Sequence, residues 1–573
     1  MAETTGLAAA EFPRGYVAAE AKFDEWETAE RYYRELAERE VGALDELERW
    51  LCDWSELDAC FDEEGVAREI AMTRHTDDPQ CERRHVDFVE NIKPKRAPWH
   101  DRLRKKFAAH AEEYELPPLR YEVLERDCRN AIEIFRHANV PLLTEDELLR
   151  QRYQKITAAM TCDFDGQERT IQQTMRYLEE PDRRQREQAW RAAAERYGQD
   201  RDALNELYDQ MVGVRHRIGR NADCGDYRGY AFKAKERFDY TPEDCLAYHD
   251  AIEKVVVPAV QRLAEERKKK LAIDTLRPWD LDVDVDHRPP LTPFETDREL
   301  AEGCGRIFTR IDPDFGRIFD TLVEREMLDL GSRKGKAPGG YQEMYWEQRM
   351  PFIFMNAVGA EDDVTTLLHE GGHAFHSWAC RNEPLLPYRR CPLEFAEVAS
   401  MSMELLAHPH LEEFFGDQAG RARKRHLLDI LHFLPWMARV DAFQHYVYAN
   451  VEHDTDRRLD EWQALRQRFA PHQDWSGLEE HERNSWHRKL HFFQVPFYYI
   501  EYGIAQLGAL QVWLNAKKDP QTAIAKYRAA LTLGGSRPLP ELFETAGCKF
   551  DFSEATLRPL IEAVMEEVER LGE

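Results

Sequence analysis

No run of eighteen or more apolar residues occurs anywhere in the 573-residue sequence, so no membrane-spanning helix is expected. CxxC pairs are also missing. Eleven cysteines stand singly between Cys52 and Cys548, which argues against a disulfide framework and for a reducing cytoplasm. They read as small core residues. Positive charge is scarce: 79 Lys and Arg stand against 108 Asp and Glu, a formal net charge of −29. So acidic a chain lacks the basic face that nucleic acid or an anionic membrane needs, and the surplus acid reads as an aid to solubility. The opening "MAETTGLAAAEFPRGY" has neither a basic segment nor a long apolar core, so no secretory leader is expected. There is no repeat of fixed period, which disfavours a solenoid. No GxxxxGK[ST] loop is present, and "GSRKGK" does not fit that phosphate-binding pattern.

What is present is mostly helix. At 43% hydrophobic and 33% charged, the chain is an ordinary globular mixture, long enough for more than one domain. "TAERYYRELAEREVGALDELERWLCDW" and "RQREQAWRAAAERYGQDRDALNELYDQMVGVRHRIGR" carry apolar residues at three-and-four spacing. So does "DCLAYHDAIEKVVVPAVQRLAEERKKKLAI", with Thr241-Pro-Glu-Asp as its capped start. Punctuation thickens later. "RPWDLDVDVDHRPPLTPF" (277–294) reads as a loop or short extended segment, and "LGSRKGKAPGGYQEMYW" as a long flexible loop. "PFIFMNAVG" then reads as a short strand. A soft boundary near residue 195 divides an N-terminal helical domain, 1–195, from a second domain, 196–573.

One segment carries chemistry. "TTLLHEGGHAFHSWAC" (365–380) packs three histidines and a glutamate into eight residues. His369 and His373 are four apart, so on a helix their imidazoles share one face and can meet at one ion. Zinc accepts imidazole nitrogen at about 2.0–2.1 Å, and HExxH supplies two such ligands. Glu370 lies where a carboxylate can take a proton from activated water. A catalytic zinc also needs a third protein ligand. It is not a downstream histidine, because the HExxHxxGxxH positions hold His376 and Ala379. "PLEFAEVASMSMELL" (392–406) reads as a helix offering Glu394, Glu397 and Glu404. Spacing leaves the choice open, with a second acid free to orient a histidine N–H. His376 reads as a packing residue or a support to the ligands rather than as a ligand. Gly371 and Gly372 each cost a helix about 1 kcal/mol relative to Ala. That cost implies a close neighbour, expected to be the glutamate helix.

The blocks "SRKGKAPGGY", "DVTTLLHEGGHAFH", "EFAEVASMSMELL" and "HFFQVPFYYIEYGIAQLGA" together resemble the thimet-oligopeptidase-like zinc peptidases, oligoendopeptidase F branch. "LRPWDLDVD" and "WLCDWSELDA" fit that branch too. The resemblance implies a mainly α, two-lobed fold with a deep substrate channel and a small β-sheet near the zinc. It implies one Zn2+ per chain on His369, His373 and Glu397, with Glu370 as general base. It also implies a cytoplasmic endopeptidase that hydrolyses internal bonds of short unfolded oligopeptides by metal-activated water. The family usually places an aromatic where this chain has Gly371. A catalytically silent peptide binder of the same fold is the alternative, and an exopeptidase a third option without a supporting motif.

Peptide hydrolysis also needs donors for the developing oxyanion. The resemblance points to a His and Tyr cluster, for which His491, Tyr498, Tyr499 and Tyr502 are the candidates. Tyr502 is favoured, then Tyr498, with His491 as a donor and Tyr499 beside the substrate. Pro496 suits the first turn of a helix. "PFIFMNAVG" is expected to be an edge strand that binds substrate backbone by strand addition. Gly339, Gly340 and Tyr341 in the preceding loop are expected to close over the peptide.

Overall fold

The computed structural model describes residues 12–572. Residues 1–11, on which much of the expectation of no secretory leader rests, lie outside them. Helices dominate and strands are few, so the mainly α class holds. Among the described residues no helix is long and apolar enough to cross a membrane. All eleven cysteines are free thiols.

The chain forms two units, each assembled from three separated stretches. The first comprises Met1–Glu133, Leu291–Arg423 and Ala505–Phe550; the second comprises Ile134–Pro290, Lys424–Ile504 and Asp551–Glu573. Residue 195 falls inside helix Arg183–Gln199 of the second unit.

In the first unit, the first amphipathic stretch breaks into two helices, Trp26–Glu38 and Leu44–Arg74. The break falls where Gly42 donates its N–H to the Glu46 carboxylate at 2.8 Å, which ties the chain to the start of the second helix. The helices bury Trp26, Tyr33 and Leu36 with Trp50, Leu57 and Phe61 in one apolar core. A three-stranded sheet follows, built from Leu328–Gly331, Tyr341–Tyr345 and Met350–Ala357. Met350–Ala357 is the strand expected from "PFIFMNAVG", but it is not an edge. It lies in the middle, parallel to Leu328–Gly331 and antiparallel to Tyr341–Tyr345. Its unbroken apolar run has that physical reason: paired on both sides, its Phe352, Ile353, Phe354 and Met355 are at most 2% exposed. The edges are Leu328–Gly331 and, after the glycine-rich loop, Tyr341–Tyr345.

The glycine-rich loop before that edge is tied down rather than free. Buried Lys336 donates from Nζ to the Asp329 carboxylate at 2.8 Å and to the Asp329 and Gly331 carbonyls at 2.9 Å each. Asn356 Nδ2 donates to the carbonyls of Ala337 and Gly339 at 2.7 and 2.8 Å.

In the second unit, helix Pro242–Leu271 opens at Thr241 with a full capping box closed by Asp244. The Pro- and Asp-rich segment holds one short helical turn, Pro278–Asp280. Asp280 anchors it, accepting from Arg183 Nη2 at 2.7 Å and Arg186 Nη2 at 3.0 Å. Trp279 then packs with Trp190 and Leu478.

Candidate active site

Helix Glu361–Ala379 carries the histidine motif and packs on both the central strand and helix Leu393–Leu406. Its first turn is acidic, as the helix dipole favours. The Asp363 carboxylate accepts from the Val358 and Ala360 N–H groups at 2.8 Å each, so the helix start is fixed. The glycine pair sets the helix spacing. A Cβ on Gly372 would lie 2.6 Å from Ser400 Cα and 2.7 Å from the Ala399 carbonyl oxygen. The close neighbour is therefore the backbone of the glutamate helix, as expected. Gly371 faces elsewhere: a Cβ there would meet the ring tip of Phe308 at 2.5 Å.

That approach brings a carboxylate to the imidazoles. Glu397 Oε2 lies 3.4 Å from His369 Nε2 and 3.6 Å from His373 Nε2. Glu404 does not join them as a ligand. His369 Nδ1–H donates to Glu404 Oε1 at 2.6 Å, which turns the Nε2 edge of the ring toward Glu397. Residues 397 and 404 are seven apart, two helical turns on one face, and that spacing was the available signal for the orienting role. Ser400 Oγ donates to Glu397 Oε2 at 3.1 Å. His376 packs instead of ligating, its ring 5.8 Å from that of Phe395.

The electrostatics follow from burying several acids around two imidazoles. Burial opposes a charge on His369, but hydrogen bonds to Glu397 and Glu404 outweigh it and hold its pKa well above the ordinary value. Burial pulls His373 down to about 4. Burial likewise pushes the Glu370 carboxyl up to about 7, against the charge of His369. The Gln342 backbone tempers that rise, and the edge strand Tyr341–Tyr345 lies along the motif helix. A carboxyl poised near neutrality both accepts and returns protons.

The donor set fits a zinc ion. Two imidazole nitrogens and one carboxylate oxygen converge with their ligand atoms all within 4.8 Å of one another. The edge of a tetrahedron with 2.0–2.1 Å bonds is about 3.3 Å, close to the 3.4 and 3.6 Å separations observed. Buried Glu370 Oε2 has no hydrogen-bond partner among the described residues.

The other predicted residues gather in the second unit. The ring of His491 lies 4.8 Å from that of Tyr499 and 6.2 Å from those of Tyr498 and Tyr502. Burial, with Lys489 and Lys235 nearby, pulls His491 down to about 3, so the ring is neutral. Tyr499 is already engaged: its phenol oxygen accepts from Lys489 Nζ at 2.7 Å and from Trp436 Nε1 at 3.1 Å. The helix expected to open around Pro496 begins at Tyr499, and His491 sits in a short helix, Leu490–Gln494. Phe497 explains the delay. It takes a left-handed φ of 61°, and its N–H is held by Gln444 Oε1 at 2.6 Å. In the first unit, Tyr341 stacks on Phe354 at 4.7 Å and shares a 2.6 Å hydrogen bond with Thr73. Gly339 has a φ of 101°, and Gly340 faces Thr366.

Comparison with known proteins settles the relationship. The family model described as Peptidase family M3 matches residues 176–561. The chain belongs to peptidase family M3. The oligopeptidase PepF of Bacillus subtilis (strain 168) is 24% identical over 68% of this chain and 58% of its own length. The chromosomal oligoendopeptidase F of Lactococcus lactis subsp. cremoris is 23% identical over 55% of this chain and 53% of its own length. The M3 chain thus spans somewhat over half the length of these curated relatives. Among solved structures, PZ peptidase A with an inhibitor matches with a TM-score of 0.89 and 25% identity, covering 97% of this chain and 99% of that one. Oligoendopeptidase F from Enterococcus faecium shares the fold, with a TM-score of 0.63 at 15% identity over 95% of this chain and 98% of its own.

Proposed function

We propose that this M3 family member is a zinc-dependent, cytoplasmic metalloendopeptidase that cuts internal bonds of short unfolded oligopeptides. The observation that carries the proposal is the convergence of His369, His373 and Glu397 with Glu370 beside them. His369, His373 and Glu397 would hold the metal. When bound, zinc supplies Lewis acidity for the scissile carbonyl and lowers the pKa of water. Glu404 fixes the His369 tautomer. Glu370 takes the proton of the attacking water and delivers it to the leaving amine. The edge strand Tyr341–Tyr345, with Gly339 and Gly340 before it, offers backbone groups for a peptide added as a further strand. Tyr502 and Tyr498, with neutral His491, are the proposed oxyanion donors. Tyr499 is assigned to the substrate side, its phenol held by Lys489 and Trp436. Manganese or cobalt would suit the same donors. No observation favours a silent peptide binder.

The test is cleavage of a defined peptide library read by mass spectrometry, with and without chelator, alongside elemental analysis. Internal cuts that cease on chelation and in Glu370→Gln, whose metal content stays normal, are expected. Full cleavage by Glu370→Gln would overturn the assigned base, and cuts only at chain ends would overturn the endopeptidase reading.

A further inference from the structure

A second cluster of ligand-type side chains lies inside the second unit. Helix Pro242–Leu271 carries Cys245 and His249, four residues apart. Helix Ala419–Ala449 carries Asp441 and His445, also four apart. Each pair therefore shares a helix face. The Cys245 sulfur, an Asp441 carboxylate oxygen and a His445 ring nitrogen lie within 4.8 Å of one another. Asp441 Oδ2 is 3.0 Å from His249 Nε2 and 3.2 Å from His445 Nε2. These separations are close to the 3.4 and 3.6 Å found at the motif histidines.

The cluster is buried among aromatic rings. Cys245, His249 and Asp441 are fully buried, and His445 is 3% exposed. The rings of Phe232 and Phe497 flank His445, and that of Phe469 flanks His249. The bond to His249 leaves much of the cluster unanswered. Asp441 Oδ1, His249 Nδ1 and both ring nitrogens of His445 have no hydrogen-bond partner among the described residues. Buried polar atoms without partners are rare, and each calls for a ligand or an ordered water. In their metal-binding forms a thiolate, a carboxylate and an imidazole would carry two negative charges, which a divalent cation balances. Sulfur and nitrogen donors select zinc over magnesium or calcium.

We propose that Cys245, Asp441 and His445, with His249 hydrogen-bonded to Asp441 as its orienting partner, form a second, structural zinc site that clamps helix Pro242–Leu271 to helix Ala419–Ala449. Fully buried and joining two helices, such a site contributes to folding rather than hydrolysis. It does not depend on the proposed peptidase reading.

The test begins with the full chain carrying His369→Ala and His373→Ala, which empties the motif site. Reconstituted with zinc alone and freed of excess, it is expected to keep about one zinc per chain, with a sulfur neighbour near 2.3 Å in X-ray absorption. Cobalt in its place is expected to give a thiolate charge-transfer band in the near ultraviolet, which His, Glu and Asp donors do not produce. Adding Cys245→Ser is expected to abolish the band and the retained zinc. Should that variant fail to fold, the sulfur signature of the cysteine-intact chain decides alone. A double-alanine chain that retains no metal, or zinc bound with no sulfur neighbour, overturns the proposal.

Discussion

Glu404 grips His369, accepting its Nδ1–H at 2.6 Å from two turns beyond Glu397 on the same helix. One helix thus presents both the carboxylate that faces the histidines and the one that aims the first of them. Outer partners of this kind are worth roughly 10–100-fold in metal affinity or activity. Glu404→Ala is therefore expected to weaken zinc binding by about that factor, measured by competition with a chromophoric chelator. Wild-type affinity in the variant would remove Glu404 from the site.

Glu370→Gln keeps the shape of the side chain and loses its proton traffic. Turnover is expected to fall by roughly 10²–10⁴-fold with zinc content unchanged. Elemental analysis of the same preparation separates loss of chemistry from loss of metal.

Gly372→Ala would ordinarily strengthen a helix by about 1 kcal/mol. Here the new methyl would meet backbone atoms at 2.6 and 2.7 Å, and backbone does not swing aside. A net destabilisation on the order of 1–3 kcal/mol is expected from overpacking, together with reduced metal content as the glutamate helix is pushed back. A more stable, fully loaded variant would contradict the close-approach account.

Asp329 gathers Arg333, Lys336 and Arg74 around a buried carboxylate. Burial opposes its charge, but hydrogen bonds from Arg333 and Lys336 hold its pKa far below the usual range. A depressed folded pKa gives stability that is present above the unfolded value of about 3.9 and is lost as pH falls toward the folded value. Asp329→Asn is expected to cost on the order of 3 kcal/mol at neutral pH, because Lys336 is left buried without its counter-charge. Urea unfolding across pH should show the gap between wild type and variant shrinking below about pH 4. A gap independent of pH would exclude the electrostatic cause.

Local pattern carried much of this structure. The motif helix, the Thr241 cap and the strand in "PFIFMNAVG" were legible because each rests on neighbours within a few residues. The central place of Met350–Ala357 was not, since strand order depends on partners that no short window contains. Gly372 announced a close neighbour, yet Gly371 looked identical in sequence and answers to Phe308, more than sixty positions away. The helix start after Pro496 was missed because Phe497 adopts a conformation that Gln444, distant in sequence, stabilises. The second unit's Cys245, His249, Asp441 and His445 were invisible as a group, because two unremarkable i, i+4 pairs become a cluster only when their helices pack.

The Phe308 ring occupies the space that a side chain at position 371 would need. The bulk at this contact belongs to the neighbouring helix rather than to the motif helix. Positions 308 and 371 should therefore vary as a pair across M3 chains: a large residue at 371 beside Phe308 will crowd the helix that carries both metal-facing histidines, and a small residue at 308 beside Gly371 will leave a cavity against it.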